Sequence, residues 1–157
     1  MPTIDELRNQ VGREIGVSDW VEITQRDLDL FAEASRDRQW IHVDTGRARR
    51  ELPGGRTLAH GFLTLALLSQ LSREAVDIQG DFRMRLNYGV NRVRFPAPVP
   101  CGSRVRARFT LASIEAVSIR PPAGMVRRSS RTPSYVLRLF FTASSRASFV
   151  ISWTRRM

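Results

Sequence analysis

One stretch of this chain limits its fold more than any other. From His60 to about Arg73, the residues Phe62, Leu63, Leu65, Ala66, Leu67, Leu68 and Leu71 leave little polar surface on any side of a helix. A helix of that kind has to be covered all round. At about 1.5 Å per residue it runs roughly 20 Å, the width of four or five strands spaced about 4.8 Å apart, so one sheet is wide enough to wrap it. Strand patterns follow directly. Phe82, Met84, Leu86 and Tyr88 alternate with Arg83, Arg85 and Asn87, and Val93 and Phe95 alternate with Arg92 and Arg94. Val105, Ala107, Phe109 and Leu111 alternate with Arg104, Arg106, Arg108 and Thr110. Each run has one apolar and one Arg-rich face, as in an antiparallel sheet covered on one side. Gly89 marks a bulge, and the proline-rich residues 96–102 form a stiff connection that cannot be a central strand. The expected architecture is α+β, a long central helix against an antiparallel sheet.

Upstream of the helix, Thr24 and Asp27 have the spacing of a capping box, with Leu28, Phe31 and Ala32 as the apolar stripe behind it. This predicts a short helix from about Gln25 to Ala34. Residues 35–44 carry neither helical nor strand periodicity and read as an ordered loop. Asp44 is placed to cap a turn of helix through Arg47, Ala48 and Arg49, before Pro53, Gly54 and Gly55 break the chain.

With 157 residues, 42% apolar and 25% charged, the chain suits one domain over 1–157. Its net charge of +10 is unevenly spread: residues 116–157 hold 8 Arg and no acid, leaving only +2 on the rest. All 25 basic residues are Arg, and no nucleic-acid motif organises them, so the tail is read as a solvated basic segment and no nucleic-acid partner is expected. One cysteine, Cys101, excludes an internal disulfide and a Cys-based metal cage. No apolar run reaches the roughly 20 residues of a membrane span, and the opening residues lack a basic segment followed by an apolar one. The expectation is a cytoplasmic protein without a membrane partner.

Both histidines, His42 and His60, fall where loop meets structure. Asp37 and His42 lie five residues apart in the loop, close enough for a carboxylate and a neutral imidazole to share general acid and base work on one water. His60 and Gly61 open the buried helix, whose free N–H groups and positive dipole end suit an oxygen that becomes negative during reaction. Gly61 also allows close approach to the backbone. The plainer alternative makes His42 a hydrogen-bonded loop residue and His60 a packed or capping one. His42, Asp44 and His60 have the residue types of a metal site without a recognised ligand spacing, and no metal is expected.

Residues 31–44, with Asp37 and His42, followed by the run from Ala59-His60-Gly61 to Leu68, resemble the MaoC-like, (R)-specific enoyl-CoA hydratases, most closely the NodN-like branch. Residues 87–100, beginning Asn87-Tyr88-Gly89, extend the resemblance, which covers about residues 15 to 113. It implies a hot-dog fold, a long helix wrapped by a curved antiparallel sheet, and a homodimer binding acyl-CoA near its interface. It makes Asp37 and His42 the pair that activates water and delivers a proton, and the backbone N–H of Gly61 the ligand of the thioester oxygen. Ser69 falls at a pocket-lining position, although a Ser in an apolar helix often bonds its own backbone. Asn87 and Tyr88 would line the pocket, with core packing as the alternative for Tyr88. The implied reaction is reversible hydration of trans-2-enoyl-CoA to (R)-3-hydroxyacyl-CoA, with no cofactor beyond the coenzyme A of the substrate.

After about Ser113 the chain departs from that pattern. Residues 135–141 and 148–153 nevertheless have strand-like composition, so at least one, and first the former, is expected to pair with the sheet, with residues 121–131 irregular. Two other readings share the fold: an acyl-CoA thioesterase, attacking the carbonyl carbon, and a non-catalytic acyl-CoA-binding subunit.

Overall fold

The computed structural model describes residues 3–76, 84–117, 134–143 and 147–156, with side chains for 3–76, 90 and 92–115. The first element, α1 (Ile4–Arg8), begins with a capping box in which Thr3 and Glu6 exchange hydrogen bonds, and it buries Ile4 and Leu7. Two short strands follow, β1 (Glu14–Val17) and β2 (Val21–Glu22). The expected Thr24–Asp27 capping box starts α2 (Gln25–Ser35), which buries Leu28 and Ala32. Within the stretch read as loop, four residues form a short helix, α3 (Trp40–Val43). Asp44 caps α4 (Thr45–Glu51) by accepting the Arg47 N–H at 2.8 Å.

The central helix is α5 (Gly61–Ala75), which starts one residue later and ends two residues later than the pattern suggests. Its Leu68 and Leu71 join Ile4, Leu7, Val76, Ala107, Phe109 and Leu111 in one core cluster. Its Leu63 joins Ile23, Leu28 and Val105 in a second, and Leu67 packs against both. The helix is not covered all round within the described chain, because Phe62 is 67% exposed and Ala66 and Gln70 lie open one and two turns further on. Spacing of four residues puts these three on one stripe.

Five antiparallel strands form the main sheet in the order β1-β5-β6-β7-β3, where β3 is Met84–Val93, β5 Ala107–Val117, β6 Ser134–Ala143 and β7 Ala147–Arg156. Both segments expected in the tail therefore pair, β6 between β5 and β7, and β7 with β3. Residues 121–131 lie outside the described residues.

Two strand expectations change. The runs before and after Gly89 are one strand, β3, whose register shifts between Asn87 and Gly89, placing the bulge at Tyr88. Phe95 lies beyond that strand, and Phe82 outside the described residues. The alternating run at 104–111 is divided instead: Arg104 and Val105 form β4, paired with β2 in a separate two-stranded sheet, while β5 begins at Ala107. Alternation persists across the break because Val105, Ala107, Phe109 and Leu111 all face the core. Strand β1 closes tightly on α5, where a Cβ on Gly16 would strike the Ala75 carbonyl oxygen. Among the described residues, no helix is long and apolar enough to cross a membrane.

Candidate active site

The site is built on residues 57–59, an extended segment held on both sides by backbone hydrogen bonds. On one side, Ala59 N–H donates to Val99 O at 2.8 Å and Cys101 N–H to Thr57 O at 2.8 Å, so the stiff proline-rich connection serves as its ladder partner. On the other, Leu58 N–H donates to Ile41 O at 2.9 Å. The Leu58 carbonyl meets Nδ1 of His42 at 2.6 Å. A carbonyl only accepts, so Nδ1 carries the proton and Nε2 of a neutral His42 keeps its lone pair. His42 is 7% exposed, which restricts its ring to this orientation.

Gln25 and Thr57 strengthen the same junction. The Thr57 hydroxyl donates to Gln25 Oε1 at 2.5 Å, and Gln25 Nε2 donates to the His42 carbonyl at 2.9 Å and to Asp29 Oδ1 at 2.9 Å. Sequence reasoning missed both residues. Gln25 has the signature of an ordinary first-turn helix residue, and only its long-range partners, 17 and 32 positions away, reveal its second task.

Asp37 follows Arg36, the only non-glycine residue with positive φ among the described ones, at 63°. This left-handed turn ends α2 and costs about 1–3 kcal/mol in a non-glycine residue. Asp37 is solvent-exposed; its N–H donates to Ser35 Oγ at 3.3 Å and its Oδ1 accepts from the Gln39 N–H at 3.4 Å. Its backbone carbonyl meets Nε2 of His60 at 2.9 Å. His60, 3% exposed, stacks on His42 with ring centroids 3.6 Å apart and planes inclined by 23°, and Phe31 meets it at 5.0 Å. His60 thus packs and does not cap: the N-terminus of α5 has no side-chain cap. No described acceptor takes the Gly61 N–H, which remains available at the positive end of the helix. The space beside Gly61 is occupied by Phe95, since a Cβ there would lie 2.8 Å from the Phe95 ring.

Asp37, His42 and His60 each bring a ligand-type atom within 4.8 Å of the others. An ion on an imidazole lone pair lies in the ring plane about 2.0–2.1 Å from nitrogen. Two stacked planes inclined by 23° do not meet within that reach, so the stack does not offer both rings to one ion. Asp44, grouped with the histidines from sequence, is used as the α4 cap.

The structure brings Asp37, His42, His60 and Gly61 together and leaves Ser69 apart. Ser69 lies eight residues along α5 from Gly61, roughly 12 Å at the helical rise, and its carbonyl accepts from Ser72 Oγ and Arg73 Nε. Asn87 and Tyr88 are placed only by backbone, Asn87 opposite Trp153 and Tyr88 at the bulge; their side chains lie outside the described residues.

A central helix laid on a five-stranded antiparallel sheet, with a carboxylate and an imidazole gathered at its N-terminus, places the chain in the hot-dog class. R-hydratase PhaJ1 from Pseudomonas aeruginosa shares that fold, with a TM-score of 0.55 at 23% identity over 92% of this chain and 79% of that one. A family model described as MaoC like domain matches residues 6–132. Over 113 residues the chain is 50% identical to 3-hydroxyacyl-thioester dehydratase Z of Mycobacterium tuberculosis, covering 72% of this chain and 74% of that protein. It is 45% identical to nodulation protein N of Rhizobium leguminosarum bv. viciae over 113 residues, 72% of this chain and 70% of that one. The chain therefore belongs to the MaoC-like dehydratases, enzymes of the lyase class. The matched span runs further than the sequence resemblance at both ends, and β6 and β7 lie beyond it.

The junction around Thr57 makes a stability prediction. Thr57→Val removes a buried hydroxyl without changing the side-chain shape and leaves Gln25 Oε1 without that donor, which should cost about 1–3 kcal/mol. Thermal or urea unfolding reads this directly, and an unchanged midpoint would show that the Gln25 bridge is not needed.

Proposed function

We propose that the protein catalyses reversible (R)-specific hydration of trans-2-enoyl thioesters, with coenzyme A thioesters as substrates. The carrying observation is the bare Nε2 of a buried His42, fixed by its Nδ1–H on Leu58 and set beside the Asp37 turn and the open end of α5. The relative named as a 3-hydroxyacyl-thioester dehydratase supports the same chemistry.

In this reading water sits between Asp37 and His42. As its oxygen bonds the β carbon, its proton moves to the pair, with Nε2 of His42 as acceptor. The alkene electrons shift through the α carbon onto the thioester oxygen, which the Gly61 N–H and the helix dipole stabilise. The pair then delivers a proton to the α carbon, and the electrons return to make the C–H bond. Every atom comes from water and substrate, so this sequence calls on no metal or redox cofactor. Ser69, Asn87 and Tyr88 are assigned to the pocket wall that receives the acyl chain.

A homodimer completes the proposal. The stripe of Phe62, Ala66 and Gln70 is open, and β3, ten residues long, is an edge strand of the described sheet. A second copy meeting the first at or near this edge would cover surface of the kind that isolated chains seldom leave bare. Light scattering should give the mass of two chains at working concentration, and a monodisperse monomer contradicts the assignment.

Turnover is read from the ultraviolet absorbance of the conjugated enoyl thioester, which disappears on hydration, and chiral analysis should give the (R) alcohol. Asp37→Asn and His42→Gln should each lower turnover by roughly 10²–10⁴-fold with the fold intact. The two losses should not add in the double variant, because both groups serve one water. A folded dimer that binds enoyl-CoA of several chain lengths without turning it over would favour a binding subunit; one that releases free CoA would favour a thioesterase.

A further inference from the structure

We propose that His60 is a positioning residue that holds both members of the Asp37–His42 pair through atoms taking no part in the chemistry; this rests on the hydratase reading above. A packed histidine normally satisfies both ring nitrogens, and His60 does not. Its Nε2 faces the Asp37 carbonyl at 2.9 Å and, since a carbonyl cannot donate, must carry the proton. The ring nitrogen left over, Nδ1, is buried with no hydrogen-bond partner among the described residues. A half-turn of the ring about its Cβ–Cγ bond would exchange nitrogens for carbons and break the bond to Asp37. The orientation observed therefore accepts an unpaired Nδ1 and retains the tie to Asp37.

That tie is the shortest described hydrogen bond at Asp37. The other two, from its N–H to Ser35 and to its Oδ1 from Gln39, are 3.3 and 3.4 Å and come from its own turn. Among the described hydrogen bonds at Asp37, only that from His60, 23 residues away, connects this turn to the start of α5. The same ring stacks on the face of His42. One side chain thus fixes the backbone that aims the carboxylate and backs the imidazole that takes the proton, and it does so without engaging the Asp37 carboxylate or His42 Nε2. Small misplacements of reacting groups reduce the chemical step more than they reduce binding.

Two substitutions separate the contacts. His60→Phe keeps an aromatic face and removes the donor; His60→Gln keeps an N–H at a similar reach and removes the stack. His60→Phe should lower kcat roughly 10- to 100-fold while KM stays within about threefold, and His60→Gln should fall between it and the parent. Wild-type kcat in His60→Phe, or a rise in KM with kcat unchanged, overturns the proposal.

A second readout stands apart from both turnover and variant folding. The chain has only two histidines, so ¹⁵N-histidine NMR of the intact protein reports two imidazoles, assigned through the His42→Gln spectrum. The expected pattern is Nε2–H with bare Nδ1 at His60 and Nδ1–H with bare Nε2 at His42. If neither His60 variant folds, this pattern supports the tie to Asp37 and the Nδ1–H form at His60 overturns it. If the folded parent hydrates no enoyl thioester, the hydratase reading fails by itself, and the same spectrum still decides whether His60 holds Asp37.

Discussion

Both hydrogen-bonding groups of the Leu58 backbone are committed to the turn that carries His42: its N–H to the Ile41 carbonyl and its carbonyl to the imidazole. The rest of the site depends on that commitment. It selects the tautomer of His42, so that the nitrogen left bare is a base. It also sets the loop from α2 against the segment that leads into α5, bringing Asp37 and His42 to Gly61 across some twenty residues of chain. Because residues 57–59 are clamped in turn by residues 99–101, the segment that carries His42 rests on a ladder and not on side-chain packing alone. Sites on such supports hold their geometry better than sites carried by free loops.

Helix α5 links this geometry to the core. Leu63 anchors its first turn in one cluster, Leu68 and Leu71 anchor its later turns in the other, and Leu67 touches both. Both clusters therefore bear on the placement of the N-terminus of α5, where the Gly61 N–H and His60 reside. The close approach of β1 at Gly16 and of Phe95 at Gly61 removes slack at both ends of the helix. The glycine at position 61 thus has a packing reason in the chain itself.

What the sequence made legible was local. The Thr24–Asp27 box, the Asp44 cap, a bulge next to Gly89, the two tail strands and the long apolar helix are each signalled within a few residues, and each is present. Asp37 and His42 could be paired because only five residues separate them, although His42 lies on the short helix α3 and not in loop. What escaped notice depends on contacts between distant segments. The run at 104–111 looks continuous because its core-facing period is unbroken, and only pairing with β2 reveals the split. The coverage of α5 looked complete because composition counts apolar residues without showing which face lacks a neighbour. His60 at a helix start was readable as packed or capping, and it packs; that its Nε2 is directed at a carbonyl 23 residues earlier is encoded by no local pattern.

Asp37 and His42 serve one water as a pair in this account, which therefore requires the hydroxyl and the new α proton to reach the substrate from the same face. Hydration of a short trans-2-enoyl-CoA in D₂O, followed by NMR assignment of the relative configuration at the two new centres, tests this most directly. The account predicts deuterium and hydroxyl added to one face, on a β carbon of (R) configuration. Addition to opposite faces, or deuterium scrambled over both α positions early in the reaction, would contradict it.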